Sequence, residues 1–120
     1  MNVLFLGDLV GENLIPFLSK NLSAILEKYN ISFVIANGEN LAKGYGITPN
    51  LCDKLFDIGI DVISSGNHIW DQENIIPYIA KNKNLLRPIN FSKNNPGEGI
   101  GYFKDNLGNK IVVINILCNL

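Results

Sequence analysis

The stretch SFVIANGEN, residues 32–40, is an apolar run that ends in a glycine, a carboxylate and an amide. Two other segments follow the same order: NVLFLGD, residues 2–8, and DVISSGNH, residues 61–68. Short continuous runs rich in Val, Ile and Phe are typical of strands that are buried on both faces. The repeated pattern therefore predicts three parallel strands, each followed by polar side chains.

Helical spacing of apolar residues separates the three strands. The first stretch of helical spacing begins after Asn13. The second begins at Thr48 and Pro49, which are a typical N-cap and first helical residue. Pro77 predicts that a third helix starts late or bends. We predict strands near residues 2–7, 32–36 and 60–64, and helices near residues 13–28, 49–58 and 73–82. This order is a βαβαβ unit with right-handed crossovers.

The last third of the chain has a different pattern. GIGYFKDNLGNKIVVINIL, residues 99–117, predicts a hairpin with strands near 100–104 and 110–116 and a turn at 106–109. The preceding residues 87–99 have no apolar period and predict a loop. No linker divides the chain, so we predict an α/β fold in one domain, residues 1–120.

Composition excludes several classes of protein. The 120 residues are 47% hydrophobic with a mean hydropathy of +0.15, which indicates a folded chain. A net charge of −1 gives no signal for nucleic-acid binding. The N-terminus does not resemble a signal peptide and no apolar run is long enough to span a membrane, which predicts a cytoplasmic protein. Cys52 and Cys118 are predicted to be unpaired, buried thiols.

Polar residues directly after the three predicted strands are candidates for a functional site: Asp8, Glu39, Asn40, Asn67 and His68. In an open parallel sheet, ligands bind beyond the carboxyl ends of the strands. The glycine before each group would let the backbone turn off the strand. Two carboxylates and two amides are hard oxygen ligands that suit Mg, Mn or Fe, and a carboxylate such as Glu39 can bridge two cations.

Each candidate also has a structural interpretation. Asp8 could be an acid favoured by a helix dipole, and Asn40 and Asn67 could satisfy backbone groups in turns. A single histidine such as His68 is often structural, and Trp70 is interpreted as packing or as a lid. The glycine-rich segments lack the spacing of a nucleotide-binding loop, so we predict no cofactor-binding residues.

Four segments, taken in order, resemble the bacterial YmdB-like metallophosphoesterases, relatives of the calcineurin-like phosphoesterases. They are GDLVG (7–11), VIANGENLAKGYGIT (34–48), GIDVISSGNHIWD (59–71) and LLRPINF (85–91), and the resemblance extends over essentially the whole chain. It implies the N-terminal half of a four-layer α/β/β/α sandwich. It also implies hydrolysis of phosphodiesters such as 2′,3′-cyclic nucleotides with two divalent metal ions, iron foremost and manganese or magnesium as alternatives.

The resemblance also assigns roles by position. Asp8 and Asn40 would bind the first metal, Glu39 would bridge both metals, and Asn67 would bind the second. His68 would lie beside a ligand and donate a proton to the leaving oxygen, which an imidazole can do near neutral pH.

The chain departs from this family in its histidine content. Family members take three further histidine ligands from the second half of the domain, whereas this chain has 1 histidine. We therefore expect a fragment that is inactive alone, that a C-terminal half could complement, and that self-associates through uncovered apolar sheet surface. The alternatives are a non-catalytic remnant and a small α/β module that binds a phosphate-bearing ligand.

Overall fold

A computed structural model describes residues 1–118, so the last two positions of the predicted domain 1–120 lie outside the described residues. The domain assignment stays a prediction. The strands are β1 (Val3–Val10), β2 (Phe33–Asn40), β3 (Val62–Ser64), β4 (Ile100–Lys104) and β5 (Lys110–Ile114). The helices are α1 (Leu14–Lys28), α2 (Pro49–Asp57) and α3 (Ile75–Ile79), with a 3₁₀ helix at Asn67–Trp70. β1, β2 and β3 form a parallel sheet in that order, and β4 pairs with β5 antiparallel, which confirms the predicted α/β class.

The two faces of β2 pack against different partners. Val34 and Ala36 face the cluster that contains Leu22 of α1 and Leu55 of α2. Phe33 and Ile35 instead pack with the hairpin, where the rings of Phe33 and Phe103 lie 5.8 Å apart. Because successive strand residues point to opposite faces, helices cover one face of the sheet and the β4–β5 hairpin covers part of the other.

β1 and β2 are longer than predicted, and this changes the place of the polar residues. Asp8, Glu39 and Asn40 lie in the final residues of strands rather than after them, because β1 and β2 remain paired as far as Val10 and Asn40. Gly7 and Gly38 lie inside β1 and β2. The prediction that these glycines let the backbone turn off the strand is therefore wrong. Gly38 is required by packing, since a Cβ there would lie 2.9 Å from Ile47 Cδ1 and 3.0 Å from Ile63 Cγ2.

The helices agree with the sequence at α1 and α2 and differ around α3. The backbone N–H of Leu51 donates to the Thr48 hydroxyl at 3.3 Å, so Thr48 caps α2 as predicted. α3 is much shorter than 73–82 and begins at Ile75, which places Pro77 in its first turn, where no intrahelical N–H is needed. The 3₁₀ helix before it was not predicted, because four residues are too few to show a period.

The predicted loop 87–99 is held in place by a buried arginine. The Arg87 guanidinium donates to the backbone carbonyls of Pro88, Asn95 and Pro96. β5 ends earlier than predicted, at Ile114, and the side-chain amide of the next residue, Asn115, donates to the carbonyls of Ser65 and Leu86. These bonds fasten the hairpin to the segment that follows β3.

Part of the sheet face that carries Phe33 and Ile35 is uncovered among the described residues. Exposed apolar side chains in this region include Val3 and Phe5 on β1 and Val112, Ile114 and Ile116 on and after β5. This agrees with the expected uncovered surface, while the self-association inferred from it stays a prediction. Within residues 1–118 there is no helix of the length and apolarity that a membrane crossing needs.

The two cysteines differ in environment. Cys52 is buried as predicted, but Cys118 is exposed, so its predicted burial is wrong because the chain there has left the β4–β5 hairpin and the core. Burial and the neighbouring Asp53 carboxylate raise the pKa of the Cys52 thiol to about 12, which leaves it protonated and unreactive at neutral pH.

Asp105 organises the turn between β4 and β5. Its carboxylate accepts hydrogen bonds from the backbone N–H groups of Leu107 and Asn109 and from the Asn109 side chain. The Ser32 hydroxyl donates to it at 2.7 Å and so joins the turn to the start of β2. Burial opposes ionisation of this group, but these hydrogen bonds prevail and lower the pKa of Asp105 to about 2.

We predict that Asp105→Asn destabilises the fold near neutral pH, and that its difference from the wild type shrinks as the pH falls from about 4 towards 2. A carboxyl whose pKa is lower in the folded state stabilises the fold above its unfolded pKa, near 3.9, and loses this contribution as the pH falls through the folded value. Denaturation midpoints measured across this pH range check the prediction. Asp57→Asn, at an exposed position of α2, is the matched control, and a difference independent of pH would contradict the prediction.

Candidate metal centre

The ends of β1 and β2 bring Asp8 and Asn40 into contact. The Asn40 side-chain nitrogen donates to both carboxylate oxygens of Asp8, at 2.9 and 3.0 Å. The register between β1 and β2 shifts on both sides of Asp8, and such irregularities often re-aim side chains beside functional sites. Asp8 is exposed and Asn40 is half-buried, so both side chains lie at an accessible edge of the sheet.

Glu39, the residue before Asn40, points towards the segment that follows β3. Its carboxylate oxygens lie against Gly66, where an added Cβ would be 2.6 Å from the carboxylate carbon. The backbone N–H of His68 donates to Glu39 Oε2 at 3.5 Å, and the Asn37 side-chain amide donates to Oε1 at 3.2 Å. The Glu39 carboxylate therefore connects the end of β2 to the start of the 3₁₀ helix.

His68 is half-buried and its ring is held by a carboxylate. Nδ1 of His68 lies 2.6 Å from Oδ2 of Asp71, and the Tyr45 ring meets the imidazole edge-on with 6.3 Å between centroids. The sequence left open whether His68 packs in the core, binds metal or transfers protons. Its partial exposure and its carboxylate partner show that it is not a core residue.

The two other residues singled out in the sequence, Asn67 and Trp70, lie at the two ends of the 3₁₀ helix. Asn67 is exposed at the start of the 3₁₀ helix, directly before His68 in the chain. Trp70 packs against the main core cluster, with its ring centroid 6.4 Å from that of Phe91, which supports the packing interpretation.

Sequence reasoning missed two residues that contact the site. Asn37 lies two positions before Glu39 in β2, a spacing that puts both side chains on one face of a strand, and this signal was available. Asp71 lies three positions after His68, and side chains at that spacing coincide in a 3₁₀ helix. The second signal becomes readable only after the 3₁₀ helix is known.

The donor set fits hard divalent cations, though incompletely. The candidates are the carboxylates of Asp8 and Glu39 and the amide oxygens of Asn40 and Asn67, which suit Mg, Mn or Fe. Within the part of the chain that the structure describes, no three histidine, cysteine or acidic side chains are grouped so that they could hold a metal ion. The metal-binding roles of these four residues stay predictions.

Comparison with known proteins identifies the family. The family model described as YmdB-like protein matches residues 4–120. The chain belongs to the YmdB-like family. This YmdB-like chain is 40% identical over 116 residues to the Bacillus subtilis protein named 2′,3′-cyclic-nucleotide 2′-phosphodiesterase, an alignment that covers 97% of the chain and 44% of that protein.

Two crystal structures resemble the YmdB-like chain closely. A hypothetical protein from Thermus thermophilus matches with a TM-score of 0.88 and 30% identity, over 99% of this chain and 46% of that one. A protein from Mycoplasma pneumoniae described as a novel phosphatase matches with a TM-score of 0.86 and 32% identity, over 98% of this chain and 43% of that one. The chain therefore spans less than half the length of each of these relatives.

The close approach of Glu39 to Gly66 generates a prediction about stability. We expect Gly66→Ala to lower the free energy of unfolding by about 1–3 kcal/mol, because an added methyl group would overlap the carboxylate. In a Glu39→Ala background this loss should largely disappear, because the overlapping group is gone. Urea denaturation of the wild type, both single variants and the double variant measures the coupling.

Gly7→Ala is the matched control for this cycle. Gly7 also lies in the sheet, but a Cβ added there meets nothing within 4 Å, so no destabilisation is expected. An equal loss from Gly66→Ala in both backgrounds would show that Glu39 does not occupy the space beside Gly66.

Proposed function

We propose that this chain supplies part of the centre of a two-metal phosphodiesterase that hydrolyses phosphodiesters, including 2′,3′-cyclic nucleotides. The observation that carries the proposal is the position of β2, whose last two residues contact both neighbouring segments. Asn40 contacts Asp8 on one side, and Glu39 contacts Gly66 and His68 on the other. The substrate class is taken from the name of the B. subtilis relative, which is more than twice as long as the matched segment.

In this proposal Asp8 and Asn40 hold one cation, Glu39 bridges two, and Asn67 holds the second. Iron is the foremost candidate metal, with manganese and magnesium as alternatives. Two cations held there would supply positive charge to a phosphoryl group and would activate water. The hydrogen bond between Asn40 and Asp8 would be exchanged for bonds to the first cation, since an amide binds metal through its oxygen.

The surrounding donors support this use of the carboxylates. Asn37 and the backbone of His68 hold Glu39 through one hydrogen bond each. A carboxylate that is already oriented loses little side-chain freedom on binding a cation, which favours binding.

His68 is proposed to donate a proton to the leaving oxygen. The proposal is supported by the backbone N–H of His68, which donates to Glu39, and by the position of His68 directly after Asn67 in the chain. A positioned general acid is typically worth about 10²–10⁴-fold in rate.

The four oxygen donors would leave most coordination positions of two cations to water. The chain holds 1 histidine, which is assigned to proton transfer. We therefore propose that further ligands come from polypeptide outside these 120 residues, in keeping with a match to 44% of the B. subtilis relative. The chain alone would bind cations weakly and would lack the charge stabilisation that turnover needs.

The test compares the 120-residue chain with a chimera in which it replaces the matched 44% of the B. subtilis relative. With Mn²⁺ or Fe²⁺ present, we expect no hydrolysis of a 2′,3′-cyclic nucleotide by the chain and clear turnover by the chimera. Asp8→Ala or His68→Ala in the chimera should reduce turnover by at least about 10²-fold. Asp57→Ala, on the exposed side of α2, is the control and should leave turnover unchanged.

Three other outcomes would favour different conclusions. Turnover by the 120-residue chain that Glu39→Ala removes would show that its site is complete. A folded chimera that binds Mn²⁺ without turnover would favour a non-catalytic remnant. Phosphate binding by the chain that survives Asp8→Ala would favour a small ligand-binding module. A cytoplasmic location and complementation by a C-terminal half stay predictions.

A further inference from the structure

Tyr45 is a large aromatic residue that lies beside the proposed centre without being part of the core. It is 64% exposed, and it belongs to neither of the two hydrophobic clusters formed by the described residues. Its ring centroid lies 6.3 Å from that of His68, with 87° between the ring planes. Because an edge-to-face pair of this kind occupies at most one face of the phenol ring, at least one face remains open.

Hydrogen bonds tie the turn that carries Tyr45 to both sides of the proposed centre. The Gly44 N–H donates to the Asn40 carbonyl at 2.8 Å, at the end of β2. The Gln72 side-chain amide donates to the Tyr45 carbonyl at 2.7 Å, from the segment after the 3₁₀ helix. The backbone at Tyr45 is therefore anchored to the two segments that flank the centre.

The same turn has a backbone conformation that side chains rarely adopt. Lys43, Gly44 and Gly46 have φ angles of 53°, 89° and 77°, in the left-handed region. A Cβ added at Gly46 would lie 2.9 Å from the His68 carbonyl oxygen, so the turn packs against the backbone of the 3₁₀ helix. A lysine in this conformation costs energy and persists only where the surrounding structure imposes it, which is frequent at ligand-binding sites.

We propose that the open face of Tyr45 stacks on the nucleobase of a nucleotide whose phosphodiester lies at the proposed centre. This inference rests on the proposed function for the position of the phosphodiester and for His68 as the proton donor to the leaving oxygen. In a 2′,3′-cyclic nucleotide that oxygen belongs to the ribose, and the same ribose carries the nucleobase. The ribose then lies next to His68, whose imidazole is the neighbour of the Tyr45 ring.

Stacking on Tyr45 has a defined consequence for binding. Every nucleobase has a π-face, so an aromatic platform strengthens nucleotide binding without selecting one nucleobase. A tyrosine also loses little conformational freedom on forming such a contact. Removal of the ring should weaken nucleotide binding about 5–150-fold. It should not slow the chemical step, because stacking holds the nucleobase equally in the substrate and in the transition state.

The first experiment compares diesters with and without a nucleobase as substrates of the chimera. For adenosine 2′,3′-cyclic phosphate, Tyr45→Ala should raise KM at least about fivefold and leave kcat within about twofold. For 1,2-propanediol cyclic phosphate, which has the same five-membered diester but no nucleobase, KM and kcat should both stay unchanged. Tyr45→Phe should behave as the wild type, because stacking does not need the hydroxyl group.

Tyr29→Ala is the matched control, because Tyr29 is 55% exposed and lies at the C-terminal end of α1. It should leave KM unchanged for both substrates. If Tyr45→Ala leaves KM for adenosine 2′,3′-cyclic phosphate unchanged while the chimera turns over, the stacking proposal is wrong and the proposed function stands. An equal loss on both substrates would also overturn the proposal, because it would show a role in holding the centre together.

The second experiment needs neither turnover nor a destabilising variant. Adenosine 3′-phosphate is titrated into the chimera with isotopically labelled tyrosine, and the Tyr45 ring signals are identified by their absence in Tyr45→Phe. Stacking should shift these signals upfield, whereas inorganic phosphate should leave them in place. No shift with millimolar nucleotide would overturn the proposal. If the chimera hydrolyses neither diester, the proposed function fails, and these signals alone decide whether Tyr45 binds a nucleobase.

Discussion

The carboxylate of Glu39 against the backbone of Gly66 is the contact on which the arrangement of the site depends. It requires β2 to remain a strand as far as Asn40, so that Glu39 projects towards the segment after β3. A Cβ added at position 66 would overlap this carboxylate, so Glu39 would have to move. Glu39 also accepts the N–H of His68 at 3.5 Å, so the start of the 3₁₀ helix contacts the end of β2.

This constraint explains why the polar groups gather at one edge of an otherwise apolar structure. Asn40 follows Glu39 and contacts Asp8, while His68 follows Gly66 by two positions and contacts Asp71. A short segment of β2 therefore lies between two polar pairs. Such pre-oriented side chains suit cation binding and proton transfer better than flexible loop residues would.

Sequence reasoning found the elements that depend on burial and missed those that depend on local geometry. The apolar runs around Phe5, Val34 and Ile63 predicted the parallel order, because buried strands have a recognisable composition. The predicted ends of β1 and β2 are too early, because polar residues in the last positions of a strand look like the start of a loop. Nothing in the apolar pattern marks a four-residue 3₁₀ helix, so the partnership of Asp71 with His68 could not be predicted.

The central claim is that Asp8, Asn40 and Glu39 share a metal site, and anomalous diffraction tests it most directly. Crystals of the chimera grown with Mn²⁺ should show an anomalous peak within bonding distance of oxygens from Asp8, Asn40 and Glu39. A second peak should share the Glu39 carboxylate, because one carboxylate can bridge two cations. Crystals in which Mn²⁺ binds elsewhere, while Asn40 keeps its hydrogen bonds to Asp8, would contradict the claim.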